Sequence, residues 1–465
     1  MKYSLLFLFS WIFSSFVFAS LSVEQEARLN QSLSEILVKP APFEALVGSS
    51  EKTLFSIQGS NTIGGSLAPN LAMEYLKAKG AKNVMIRPLP TANEKLITGD
   101  LPDQGKSVNI FIAAHGSSTG FKKLVDGQAQ IWAASRPVKD KEVKAAQPLA
   151  NLRAPESEHV LGIDGLAIIV NPDNPVSQLS KEQVGLIYSG QISNWSQLGG
   201  QDRAITLYAR DNKSGTWDSF KSMVLAKRFT LSSDAFRYES SEDLVDSVLT
   251  DPSGIGFVGL GFVKEAKLVA ISDGPAQPFQ PSIMTVATED YALSRRLFLY
   301  TPGASKNKYV NEFLAFAEGI QGQRVVNAEG YISQNVEAMD VALPDELPQD
   351  YLAMVKNAKR LSINFRFKEG SAKLDNKALK DIQRLAYYMT EHPQQELVLI
   401  GFGDRRKNKE RSKLLSKLRA MAVRRELSRL GIYPDEAEGY GEYNPVAAFE
   451  QSAATKNRRV EVWLR

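Results

Sequence analysis

Short apolar runs rich in β-branched and aromatic residues recur from Leu54 to about Ser333, separated by stretches with helical spacing. Leu54-Phe55-Ser56-Ile57, Val108-Asn109-Ile110-Phe111-Ile112 and Leu166-Ala167-Ile168-Ile169-Val170 are three such runs. Their alternation with helical patterns predicts an α/β region whose strands are mostly buried. A second α/β pattern fills Leu361 to Arg465: strands at Ile363–Phe365, Leu397–Ile400 and Arg459–Leu464, with helices near Asp375–Thr390 and Lys413–Leu430. Between the two regions, Asp340 to Gln349 carries Pro344 and Pro348 among acidic residues and reads as a linker. A polar helix near Val23–Ala27 precedes the first region. The expected division is a targeting segment at 1–19, an N-terminal helical extension at 20–50 and a large α/β domain at 51–335. A linker at 336–358 then leads to a small, separable domain at 359–465.

The targeting segment rests on Lys2, the apolar run Leu5–Ala19 and the small residue Ala19. A basic start, a short apolar core and a small residue at the cut describe a secretory signal peptide. The run is shorter than the ~20 residues of a spanning helix. The chain has 465 residues, 43% of them hydrophobic and 23% charged, as in soluble globular proteins. It contains no cysteine, which excludes disulfides, zinc ribbons, iron–sulfur clusters, thiol catalysis and a lipidated cysteine. Its three histidines, His115, His159 and His392, have no ligand-like spacing, so no metal or other cofactor is expected. Charge is unevenly placed: 23 basic and 14 acidic residues from Lys359 onward, against 33 and 38 before it. Such asymmetry suggests a different partner for each part.

Three small-residue loops stand between an apolar run and a helical pattern: Gln58–Gly64, His115–Gly120 and Arg210–Thr216. Each places backbone N–H groups and a Ser or Thr hydroxyl at a helix start, which suits an oxyanion. Any one of them alone reads as an ordinary helix cap. Arg210, four residues before Ser214, adds a charge-assisted fork to the third.

These phrases, together with Ala134-Ser135-Arg136-Pro137, Ile163-Asp164-Gly165-Leu166-Ala167, Ile187–Trp195 and Gly254-Ile255-Gly256-Phe257-Val258, run in one order over about 280 residues. That order resembles the phosphate-binding proteins of ABC transporters, of the type II periplasmic binding protein class. The resemblance implies a two-lobed α/β fold with inorganic phosphate in the interlobe cleft. Carried over by motif, the phosphate shell would be Ser60, Thr62, Ser118, Ser135, Arg210, Ser214, Gly215 and Thr216. It also brings an ABC permease into view as a partner. Some members have Asp where this chain has Ser135. A carboxylate acceptor favours protonated phosphate over sulfate, and here it would be Asp164, Asp211 or neither. Asp164 reads equally as a structural partner for an arginine, and the Ile187–Trp195 phrase as core packing.

In the last region Ile400-Gly401-Phe402-Gly403-Asp404 ends a strand, Arg419 stands fifteen residues on within Leu415–Ala420, and Asn457-Arg458-Arg459-Val460-Glu461 closes the pattern. A carboxylate and a guanidinium can together hold a zwitterion, or simply pair with each other. The combination resembles the OmpA-type peptidoglycan-binding domain, a small α/β unit. The resemblance implies that Asp404 and Arg419 grip the diaminopimelate of a peptidoglycan stem peptide. Gly403 and Ser412 depart from the family pattern, where Thr and Asn are usual. The basic run Arg405–Arg411 reads as a solvated loop or as steering toward anionic wall or membrane surfaces.

The expected protein is exported, periplasmic and peptidoglycan-associated, near the outer membrane, with no nucleic-acid partner and no enzyme activity. The rival readings are a structural wall-linking protein with a vestigial or different oxyanion site, and a phosphatase. A wall anchor suits a freely diffusing shuttle poorly, so sensing and storage stand beside transport.

Overall fold

The structure is a computed structural model, and it describes residues 21–45, 51–212, 214–343, 347–367, 371–403, 408–448 and 456–465. The signal-like segment, Pro344, Asp404 and the first three residues of the Arg405–Arg411 run lie outside the described residues.

One mixed sheet of eleven strands runs through both lobes of the large α/β unit. In the first lobe the strand Glu51–Gly59 pairs in parallel with Lys106–Ala113 on one side and Ile131–Ala134 on the other. The helices Ala68–Ala78 and Lys308–Glu318 help to bury this strand's apolar residues, among them Phe55 and Ile57. The chain then crosses on Glu158–Val170, thirteen residues of near-continuous burial. Its first half pairs with the returning strand Ser294–Tyr300, its second half with Gly254–Gly259 in the second lobe. Glu158–Val170 from Val160 onward and the returning strand from Leu297 onward are buried on both faces, as doubly covered strands are. In the second lobe Ile187, Tyr188 and Trp195 are core residues, and Trp195 Nε1 donates to Ser253 O.

The last region forms a five-stranded sheet in which Arg459–Leu464 lies between Lys359–Arg366 and Leu397–Gly401, both antiparallel to it. The helices Asn376–Glu391 and Lys409–Ser428 cover it, and Asp375 caps the first by accepting from Ala378 N at 2.8 Å. The N-terminal helix Val23–Ile36 belongs here as well. Leu29 enters this domain's core, and Gln25 Nε2 donates to Ser428 O at 2.9 Å.

The small domain is docked on the large one through buried charge, where the sequence suggested a tether. Thr288-Glu289-Asp290, after a short helix of the second lobe, inserts beneath the small domain's sheet. Asp290 accepts from Arg360 Nη2 at 2.9 Å, Arg366 Nη2 at 3.3 Å and Asn364 Nδ2 at 3.0 Å. Arg366 Nη2 also donates to Thr288 O at 2.7 Å. From the returning strand, Arg296 bonds Glu289 and reaches Asp375 of the small domain at 2.7 Å. Arg384 Nη1 donates to Gln334 Oε1 at 3.2 Å, and Asn376 Nδ2 to Glu158 Oε1 at 3.0 Å. Much of the positive excess after Lys359 is thus spent inside the molecule. Burying ions in this way stabilises only when every charge finds a partner.

Burial alone would raise the Glu289 carboxyl, but Arg296 and Arg366 hold it down at about 2. A depressed carboxyl contributes stability that is complete above its unfolded value and is lost as pH falls through the folded one. We therefore expect the Glu289 contribution to persist down to about pH 4.5 and to fade toward pH 2, read as the pH dependence of the thermal midpoint. Asp290→Ala leaves Arg360 with Glu461 at 3.4 Å and Arg366 with Glu289 at 3.8 Å, and this loss of the shared anion is expected to cost about 3 kcal/mol in thermal or denaturant unfolding at neutral pH.

Candidate functional site

Two of the three small-residue loops meet at Gly59. Its φ of +142° suits glycine, and a Cβ there would stand 2.1 Å from Ala133 O. This close approach lets Ser60 N donate to Ala133 O at 2.9 Å and Gly116 N to Gly59 O at 2.7 Å. The Ser135 segment joins them: Ser135 N donates to Ser117 Oγ at 3.2 Å, and Arg136 Nη2 to Ser118 Oγ at 3.3 Å. Arg136 is itself held by both carboxylate oxygens of Glu142.

The third loop comes from the other lobe. Ser214 caps the short helix Gly215–Phe220, its Oγ accepting from Trp217 N at 3.4 Å. Gly215 packs on Thr62 so closely that a Cβ would stand 2.4 Å from Thr62 Cα. Thr62 Oγ1 donates to Gly215 O at 3.1 Å, so the lobes touch across the cleft. Beside this contact lies a cavity of about 220 Å³. Thr62, Asp164, Arg210, Ser214, Gly215 and Thr216 line it, with Tyr331 among their neighbours. Ser60, Ser118 and Ser135 are outside its lining: Ser60 is buried, its Oγ accepting from Ile63 N at 3.4 Å, Ser118 meets Arg136 and Ser135 meets Ser117.

Arg210 ends the strand Thr206–Arg210 and turns its guanidinium onto the next segment. It donates to Tyr238 O, to Glu239 O at 2.6 Å and to Ser241 Oγ. These partners are neutral, so they orient the charge without cancelling it. Burial pulls its pKa downward while Asp211 pushes the other way, and a guanidinium stays protonated at neutral pH.

A second guanidinium, absent from the sequence expectation, stands behind the cleft. Arg295 Nε donates to Asp164 Oδ2 at 3.1 Å and Arg295 Nη2 to Thr62 Oγ1 at 2.8 Å. Ser219 Oγ donates to the same Asp164 oxygen at 2.8 Å. Asp164 is therefore an arginine partner and a cleft residue at once. Nearby, burial raises the Asp218 carboxyl, which accepts from Asn61 Nδ2 at 3.2 Å. Asp211 is not part of the cavity lining. Among the described residues no group of His, Asp and Glu is placed to hold a metal.

In the small domain Arg419 is buried on the inner face of its helix. Its Nη1 donates to Phe402 O at 3.4 Å, and its guanidinium lies 5.6 Å over the Phe367 ring. Asp404, the other half of the expected pair, lies outside the described residues. A Cβ on Gly403 would stand 3.3 Å from Arg419 Nη1, so a larger residue there would press on the arginine. Asn457 is structural: its Oδ1 accepts from Val446 N and Ala447 N.

Residues 96–318 match the model of the PBP superfamily domain, and residues 366–459 that of the OmpA family. A phosphate-binding protein PstS from Staphylococcus epidermidis is 31% identical over 249 residues, 52% of this chain and 74% of that protein. Its counterpart from Borreliella burgdorferi is 27% identical over 225 residues, 47% of this chain and 77% of that one. An ABC-type phosphate transport receptor from Vibrio cholerae, known as a crystal structure, aligns over 60% of this chain and 99% of its own. That alignment has 27% identity and a TM-score of 0.46. The chain carries a domain of the periplasmic-binding-protein superfamily. Within it, the chain belongs to the PstS family of phosphate-binding proteins, and an OmpA-family domain follows.

Arg295→Ala removes the charged bridge between Thr62 and Asp164 and leaves Asp164 with Ser219 alone. We expect affinity for an oxyanion to fall about 10- to 100-fold in calorimetry, with Arg295→Lys recovering only part of it because a point charge cannot fork.

Proposed function

We propose that this protein captures inorganic phosphate in the cleft between its lobes and is held at peptidoglycan by its C-terminal domain. The observation that carries the first half is the pairing of a neutral-partnered guanidinium, Arg210, with the helix start Ser214-Gly215-Thr216 at one cavity. Converging N–H groups, hydroxyls and a forked cation are what a phosphate oxygen needs. Thr62 closes the cavity from the opposite lobe. Asp164 adds an acceptor for the phosphate proton, while its own charge is balanced by Arg295. Ser60, Ser118 and Ser135 complete the proposed shell when the lobes adjust around the anion.

For the second half, Arg419 takes the carboxylate of the diaminopimelate and Asp404 its ammonium. We further infer that the chain is exported through its apolar start and works in the periplasm as a receptor, with an ABC permease as the natural taker of its cargo. Kinship with phosphate-binding proteins favours a receptor over a phosphatase.

Isothermal calorimetry on the full chain should show phosphate binding with sulfate much weaker, and Arg210→Ala should cost at least about tenfold. Equal affinity for both anions would remove the acceptor role of Asp164, and no binding would leave the domain as a wall-linked scaffold. Asp404→Ala and Arg419→Ala should each abolish most co-sedimentation with purified sacculi while phosphate binding stays intact. Adsorption that survives both changes and yields only to salt would identify plain charge attraction instead.

A further inference from the structure

The helix Lys409–Ser428 has two unlike faces. Its inner face is committed to the small domain through Ser416, Ala420, Val423 and Leu427. On the outer face Leu414, Leu418 and Met421 are 58%, 48% and 42% exposed. Their spacing of four and three residues stacks them into one ridge along the helix. At about 100° per residue, Arg411 and Arg429 lie roughly 60° to one side of Leu414, and Lys417 and Lys413 about 60–100° to the other. Arg425 continues the ridge itself. The acidic residues of the helix are Glu410 and Glu426; Arg429 pairs with Glu426 at 2.6 Å and Lys417 with Glu438 at 2.9 Å, so Arg411, Lys413 and Arg425 carry most of the charge this face offers.

An apolar ridge between two rows of cations is complementary to a particular kind of partner. A soluble polyanion would use the cations and leave the three apolar side chains in water. A second copy of this helix would bring like charges face to face. An anionic bilayer surface meets both demands: apolar side chains enter the acyl boundary while Lys and Arg stems reach the headgroup phosphates. We propose that the outer face of the Lys409–Ser428 helix docks on an anionic phospholipid surface. Arg419 lies on the opposite, inner face of the same helix, so lipid contact leaves it unobstructed.

The test is co-sedimentation of the full-length protein with vesicles of equal parts phosphatidylglycerol and phosphatidylcholine, against vesicles of phosphatidylcholine alone. Binding to the anionic vesicles is expected, at least about tenfold stronger than to the neutral ones. Each basic residue near such a surface contributes roughly fivefold. Arg411→Gln, Lys413→Gln and Arg425→Gln combined should thus weaken binding on the order of 100-fold. Leu414→Ser, Leu418→Ser and Met421→Ser combined should weaken it at least about tenfold. An unchanged thermal midpoint and unchanged phosphate affinity in both triple variants show that the fold is intact. Equal pelleting with neutral vesicles, or none with either kind, overturns the proposal. So does a serine variant that pellets like the parent, since that behaviour belongs to a purely electrostatic polyanion site.

Discussion

Arg295 and Arg296 are neighbours on one strand, and the pleat sends neighbours to opposite faces. One guanidinium therefore reaches Asp164 and Thr62 at the cleft, and the other reaches Glu289 and Asp375 at the domain junction. The strand itself is pinned along its length to the crossing strand Glu158–Val170. Neither arginine can move far without disturbing that ladder. The anion cavity and the docking of the small domain thus share a single rigid reference, and each draws on a carboxylate from a distant part of the chain, Asp164 for one and Asp375 for the other.

Buried ion clusters tolerate incompleteness badly, since a lone charge in a low-dielectric interior costs far more than a matched pair returns. This frames the junction around Asp290. Three arginines of the small domain, Arg360, Arg366 and Arg459, lie within 4 Å of its carboxylate, and Arg459 is also paired with Glu461. The matching of so many fixed charges specifies one relative placement of the two domains. An apolar contact of similar size would permit sliding.

The elements were largely legible in the sequence because their signals are local. The Asp375 cap, the apolar run at Leu397 and the long periodic stretch after Lys413 each mark a real element. The loops Gln58–Gly64 and Arg210–Thr216, which reach the cavity, were legible for the same reason, as Gly and Ser clusters between a strand and a helix, whereas His115–Gly120 carries the same signal and stays outside its lining. Arg295 was not, because Ser294-Arg295-Arg296 carries no turn or cap signal. Its meaning comes from Asp164, 131 positions away. The docked small domain was hidden by a similar effect. A basic segment read residue by residue looks solvated, yet Arg366 and Arg384 are buried against Asp290 and Gln334, partners that only the tertiary structure supplies. The N-terminal helix was visible as a helix, but nothing in Val23–Ile36 announces which domain it completes.

That helix ties the order of synthesis to the order of assembly. Gln25 and Ser428 are bonded across 403 positions, and Leu21 lies against Gly431. The helix Val23–Ile36 therefore leaves the ribosome long before the surface it packs on. Until the small domain exists, Leu29 and Leu33 have no native cover from it. Contacts of such long separation form slowly, and exposed apolar stripes invite wrong partners meanwhile. The newborn chain is accordingly most open to wrong pairing for as long as these two segments have yet to meet.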